Sequence, residues 1–100
     1  MYDMKNLTKF KKFGELAPEG FKGFMALDEA AFAEGAIPLK YKELMAVAIA
    51  LTTQCAYCIE VHGKKAKKAG ATEQELAETT IIAAALRAGA AMTHGTHVLE

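Results

Sequence analysis

Apolar residues recur along this chain at helical rather than alternating spacing, and polar residues fall where helices start and stop. A short amphipathic helix is expected over residues 8–16, with Phe10, Phe13 and Leu16 on its apolar side. Both prolines, Pro18 and Pro38, suit a first helical turn, where a missing N–H costs no intrahelical bond. Pro18 should open a second helix through Phe21, Phe24, Met25 and Leu27, with Gly35 as its C-terminal stop. Pro38 should open a third, amphipathic at first and almost wholly apolar over residues 44–51. A helix apolar all round is expected to be buried on most sides. A fourth helix is expected over residues 55–68 with Gly70 as C-cap. In "ATEQEL", Thr72 can cap the N–H of Glu75 while Glu75 reaches back to the N–H of Thr72, a capping box that opens the last helix. That helix runs on through "IIAAALRAGAAMTHGTH", whose alanines and glycines allow close helix packing. No strand is expected. The reading is a single all-α domain of about five helices over residues 1–100.

Composition sharpens this picture. The hydrophobic fraction is 52% in a chain of 100 residues. That is high for a small domain with much surface for its volume, so oligomerisation through apolar helix faces is expected. Lys plus Arg is 12 and Asp plus Glu is 12, which leaves no basic excess for a nucleic-acid partner. The cluster Lys64, Lys65, Lys67 and Lys68 reads as a solvated helix end favoured by the macrodipole. No apolar run approaches the roughly 18 residues of a membrane span. The first residues lack the apolar core and cleavage site of a signal peptide, so a cytoplasmic location and no membrane partner are expected. In a reducing compartment, two cysteines are a poor permanent staple, and redox chemistry, catalysis or metal binding come forward.

Both cysteines lie in "CAYCIEVH", residues 55–62. Placed on one helix at about 100° per residue, Cys55, Cys58 and His62 fall near 0°, 300° and 340°, one narrow stripe. Cys58 and His62 are i and i+4 neighbours. A cysteine pair at a helix N-terminus sits where backbone N–H groups favour thiolate. Three readings stand side by side: a buried structural pair, a zinc clip completed by His94, His97 or Glu43, and a redox dithiol. Glu43 precedes Cys55 by twelve positions, in the first turns of an otherwise apolar helix. By itself it would read as a solvated acid near a helix start.

The segment "ELMAVAIALTTQCAYCIEVHGKKAKKAGATEQEL" resembles the alkylhydroperoxidase D-like branch of the carboxymuconolactone decarboxylase family. The spaced Glu43, Cys55, Cys58 and His62 carry the resemblance, which covers roughly residues 38–100. It implies an all-helical fold, assembly as a homo-oligomer (trimer or hexamer), and a thiol-dependent hydroperoxide reductase. It further implies that Cys58 attacks the peroxide, that Cys55 resolves the sulfenic acid into a disulfide, and that Glu43 and His62 relay protons. The position of Cys55, nearer the helix N-terminus, pulls the other way on which thiol is the more acidic. The redox group is then the Cys55–Cys58 disulfide, with no other cofactor. The implied partners are a small hydroperoxide and a thiol reductant or adaptor protein.

Tyr57, where relatives can carry a histidine, reads as a packing residue, and Glu60 as solvated. His94 and His97 are three apart near the end of the chain and can either bind a metal or fray. Alternatives to the peroxidase are a redox-sensing module without useful turnover, a metal-binding helical scaffold, or a lactone decarboxylase relative. The cysteine pair argues against the last, because that branch does not depend on one.

Overall fold

A computed structural model describes residues 2–100. Among the described residues there are five α-helices, two short 3-10 segments and no strand. The chain divides into two units, one ending at Leu39 and one running from Lys40 to Glu100.

In the first unit a 3-10 segment, Met4–Phe10, runs into α1 (Lys11–Leu16). The Asp3 carboxylate caps its start by accepting the Lys5 N–H at 2.9 Å. The expected helix over 8–16 is therefore split, with its first residues in the tighter 3-10 form. Ala17 precedes a proline and leaves the helical region, at φ −140° and ψ 66°. Pro18 then begins α2 (Pro18–Phe32) at once. The ring of Phe10 lies 5.7, 5.8 and 6.1 Å from those of Phe13, Phe21 and Phe24. Gly14 makes room for this cluster, since a Cβ there would stand 3.1 Å from the Phe21 ring. Gly35 is not the stop of α2. The helix ends at Phe32, and Ala33 leaves in extended backbone (φ −67°, ψ 159°), a conformation that needs no glycine.

The second unit contains all but the first residue of α3 (Leu39–Thr53), with α4 (Ala56–Lys68) and α5 (Glu73–Gly95), followed by a 3-10 turn, Thr96–Val98. Leu44, Val47 and Ala66 form its core, with Leu51, Ala71 and Leu76 packed against them. Ala66 is fully buried, and Ala50 and Ala83 are buried as well, so the helices meet over small side chains. α3 is buried along one stripe only. Glu43, Leu44, Val47 and Ala50 face inward, whereas Met45 and Ile49 are exposed. The sequence of α3 is apolar on both faces, but the packing of one chain covers only one of them.

α4 and α5 are joined by the expected glycine stop. Gly70 adopts φ 100°. Its N–H donates to the Lys67 carbonyl and that of Ala71 to the Ala66 carbonyl, at 3.0 and 2.9 Å, a Schellman motif. The capping box follows directly. Thr72 Oγ1 accepts the Glu75 N–H at 3.0 Å, and Glu75 Oε1 accepts the Thr72 N–H at 2.9 Å. Glu75 Oε2 also pairs with Lys40 Nζ at 2.9 Å, which ties the start of α5 to the start of α3. The Thr72 backbone N–H, and after it Lys40, hold the Glu75 carboxyl below its usual range. The hydrogen bond to Glu75 holds Lys40 above its own.

Candidate active site

The site is built around an abrupt junction between α3 and α4. Gln54 takes φ 58°, a left-handed conformation that is uncommon for a non-glycine residue. This turn brings the Cys55 N–H back to the Ala50 carbonyl at 3.0 Å, closing the end of α3. The same residue is the N-cap of α4, with φ −88° and ψ 97°. Its sulfur accepts the Cys58 N–H at 3.2 Å, and its carbonyl accepts the Ile59 N–H at 3.0 Å. Cys55 thus ends one helix and begins the next. It is not on the helical stripe expected from spacing, because a cap residue lies outside the helix.

Cys55 and Cys58 are joined as a disulfide, with Cα atoms 5.3 Å apart, within the usual range. Cys58 is the third residue of α4, so both sulfurs sit at the positive end of that helix. His62 follows Cys58 by one turn, which places the two Cβ atoms on the order of 5–6 Å apart.

Glu43 is the buried acid of the site, only 4% exposed. Its Oε1 lies 2.6 Å from Nδ1 of His62, a hydrogen bond between α3 and α4. Read alone, Glu43 would be a solvated helix-start residue. Here it is carried inward on the same stripe as Leu44, Val47 and Ala50. A buried carboxylate is costly unless hydrogen-bonded, and the imidazole supplies that partner. The bond also commits Nδ1 of the ring to Glu43 and fixes its orientation.

The remaining candidates are placed differently. Tyr57 is half-buried in the first turn of α4. Glu60 pairs with Lys64 one turn on, at 2.9 Å on the open face of the helix, a solvated pair of the kind expected. His94 turns to its own helix, with Nδ1–H donating to the Ala90 carbonyl at 3.1 Å. Its ring lies 6.0 Å from that of His97 on the last 3-10 turn. Among the described residues no three His, Cys, Asp or Glu side chains are grouped to hold a metal ion. No helix of the described residues is long and apolar enough to cross a membrane.

One residue near the site escaped the sequence reading. Arg87 of α5 donates to the Thr52 carbonyl in the last turn of α3. A signal was present: Arg87 is the one arginine of the chain, and no Asp, Glu or Lys lies between Glu78 and Glu100.

Comparison with known proteins gives this geometry a context. The carboxymuconolactone decarboxylase family profile matches residues 18–100. The chain is 46% identical over 76 residues to a Paracoccus denitrificans protein called "Uncharacterized protein 4 in cox locus", covering 76% of this chain and 68% of that one. Among solved structures, a carboxymuconolactone decarboxylase family protein from Legionella pneumophila, in its apo form, superposes with a TM-score of 0.76 at 39% identity. That match covers 82% of this chain and 73% of the other. A protein from Methanobacterium thermoautotrophicum superposes with a TM-score of 0.82 at 36% identity, covering 88% and 99% respectively. The helical fold, the profile match and these relatives together show that the chain belongs to the carboxymuconolactone decarboxylase family.

Proposed function

We propose that this protein is a thiol-dependent hydroperoxide reductase of the alkylhydroperoxidase D-like type, working in the cytoplasm. The observation that carries the reading is the buried Glu43–His62 hydrogen bond, set one helical turn from a cysteine that is already paired in a disulfide. A carboxylate that orients an imidazole beside a thiol is an acid–base device, and a buried structural cysteine pair has no use for one.

The cycle starts from the dithiol. His62 takes the Cys58 proton while Glu43 steadies the imidazolium through Nδ1–H. The Cys58 thiolate attacks the outer peroxide oxygen and the O–O bond breaks. The alkoxide leaves with the proton from His62, and Cys58 becomes a sulfenic acid. The Cys55 thiol then attacks the Cys58 sulfur, forming the disulfide and releasing water. Two thiols and one hydroperoxide give one disulfide, one alcohol and one water. An external dithiol, or two monothiols, returns the pair of electrons by exchange. The disulfide-bonded chain is the oxidised end of this cycle.

The reading includes a homo-oligomer assembled over the open apolar side chains of α3 and α5. Ile49, Ile81 and Met92 are 62%, 67% and 77% exposed in the single chain. A groove of about 270 Å³ between these helices is lined by Tyr41, Leu44, Met45, Ala48, Thr79 and Ile82. Apolar surface of this kind calls for a partner face.

The test is intact mass and free-thiol count on the reduced protein, before and after one equivalent of an organic hydroperoxide. Loss of two hydrogen masses with both thiols consumed, slowed in Glu43→Gln, is the expected result. A disulfide that forms without repeated turnover under a thiol reductant would move the reading to redox sensing. Unreacted thiols would overturn it.

A further inference from the structure

Cys55 stands where two helix ends meet with opposite electrical sense. The C-terminus of α3 carries about half a negative charge and the N-terminus of α4 about half a positive one. The first disfavours a thiolate at the junction and the second favours it. The chain handles the carbonyls of the negative end one by one. Ile49 O accepts the Thr52 and Thr53 hydroxyls at 2.8 and 3.0 Å. Ala50 O accepts the Cys55 N–H at 3.0 Å. Thr52 O, three residues before Cys55, receives the Arg87 guanidinium.

That last contact differs in kind. The other donors are neutral and local, whereas Arg87 comes from α5, thirty-five positions away, and brings a full charge. Arginine does not lose its proton in the working range of a protein. The helices around the cysteine pair carry Lys40, Tyr41, Lys42 and Glu43 on α3, Tyr57, Glu60, His62, Lys64, Lys65, Lys67 and Lys68 on α4, and Glu73, Glu75, Glu78, Arg87 and His94 on α5; of these, Arg87 is seen bound to the backbone of the α3–α4 junction. Glu43 and His62 are engaged with each other. Arg87 supplies a fixed positive charge at the end of α3.

We propose that Arg87 is a positioning residue of the dithiol site: it holds the Thr52 carbonyl, fixes the junction that carries Cys55, and neutralises the negative end of α3, so that the positive end of α4 governs the cysteine pair. The inference rests on the dithiol reading given above. Arg87 needs no contact with peroxide. It acts through the backbone of residues 52–55, the segment that must keep its shape while the disulfide opens and closes.

The experiment is a pH titration of thiolate absorbance on the reduced full chain, for wild type, Arg87→Met, Arg87→Gln and Arg87→Lys. Circular dichroism at each pH reports the helices. Arg87→Gln keeps a donor for the Thr52 carbonyl and loses the charge, so it decides the matter if Arg87→Met does not fold. Both neutral variants are expected to form thiolate at higher pH. Their alkylation at neutral pH should slow by roughly three- to tenfold, since one pKa unit is a factor of ten in thiolate. Arg87→Lys should fall closest to wild type. Folded Met and Gln variants whose titrations superimpose on wild type would overturn the proposal. That outcome is separate from failure of the peroxidase reading, which wild type alone would reveal by keeping both thiols after hydroperoxide.

Discussion

Glu43 and His62 lie nineteen positions apart and meet in a 2.6 Å hydrogen bond between α3 and α4. The carboxylate is buried and the imidazole is one turn from Cys58, so the pair links the interior of the second unit to the cysteine pair. Glu43→Gln keeps the size and an acceptor oxygen but loses the charge that steadies an imidazolium. The rate of thiol oxidation by hydroperoxide should fall by roughly 10²–10⁴, the usual worth of a positioned acid–base group. Stopped-flow thiol oxidation measures this, and a variant at wild-type rate would remove Glu43 from the mechanism.

The two cysteines should fail differently. Cys58→Ser should abolish reaction with hydroperoxide. Cys55→Ser should react once and stop at a Cys58 sulfenic acid, seen as one added oxygen by intact mass. The reverse pattern would make Cys55 the attacking thiol, as its cap position would allow.

Two glycines of α4 and its C-terminal stop should respond to alanine with opposite signs. Gly70 stands at φ 100° with open space around its missing Cβ, so Gly70→Ala costs backbone strain alone, about 1–2 kcal/mol. Gly63 lies within α4 with nothing near its missing Cβ, and Gly63→Ala should add about 0.5–1 kcal/mol. Denaturant unfolding of both variants measures the pair, and equal signs would contradict the backbone geometry.

The Lys40–Glu75 brace predicts a pH dependence. The Thr72 N–H and then Lys40 hold Glu75 low, so its contribution is present above the unfolded carboxyl pKa and is lost as pH falls through the folded value. Glu75 holds Lys40 high, so that contribution is present below the unfolded lysine pKa and is lost as pH rises through the folded value. The melting-temperature gap between wild type and Lys40→Met should therefore be present near neutral pH and close in acid. A gap that persists below the carboxyl range would mean Lys40 acts through packing of its stem.

If the protein assembles as proposed, the open apolar face of α3 and α5 should be the seam. Ile82→Glu places a charge on the groove it lines and should shift the protein to smaller species in light scattering, with helicity retained. A multimeric mass unchanged in the variant would place the seam elsewhere, and a monomeric wild type would remove the proposed oligomer.

What the sequence determined by itself was local. Thr72 with Glu75, Gly70 and Pro18 each mark a helix start or stop through the backbone geometry and hydrogen bonding of the few residues around them. Cys58 and His62 were legible for the same reason, since a four-residue spacing is about one helical turn, whereas the same rule put Cys55 on their stripe and the structure makes it a cap outside the helix. The resemblance supplied the one distant member, Glu43, which spacing alone would have left in solvent. Gly35 misled, because a helix can also end in extended backbone that leaves no glycine signature. Only the tertiary structure decided that Glu43 faces inward to His62, that Lys40 reaches Glu75, and that Arg87 crosses to the Thr52 carbonyl. Those contacts depend on how α3, α4 and α5 pack over Ala50, Ala66 and Ala83, and no local period along the chain encodes the rotation at which one helix meets another.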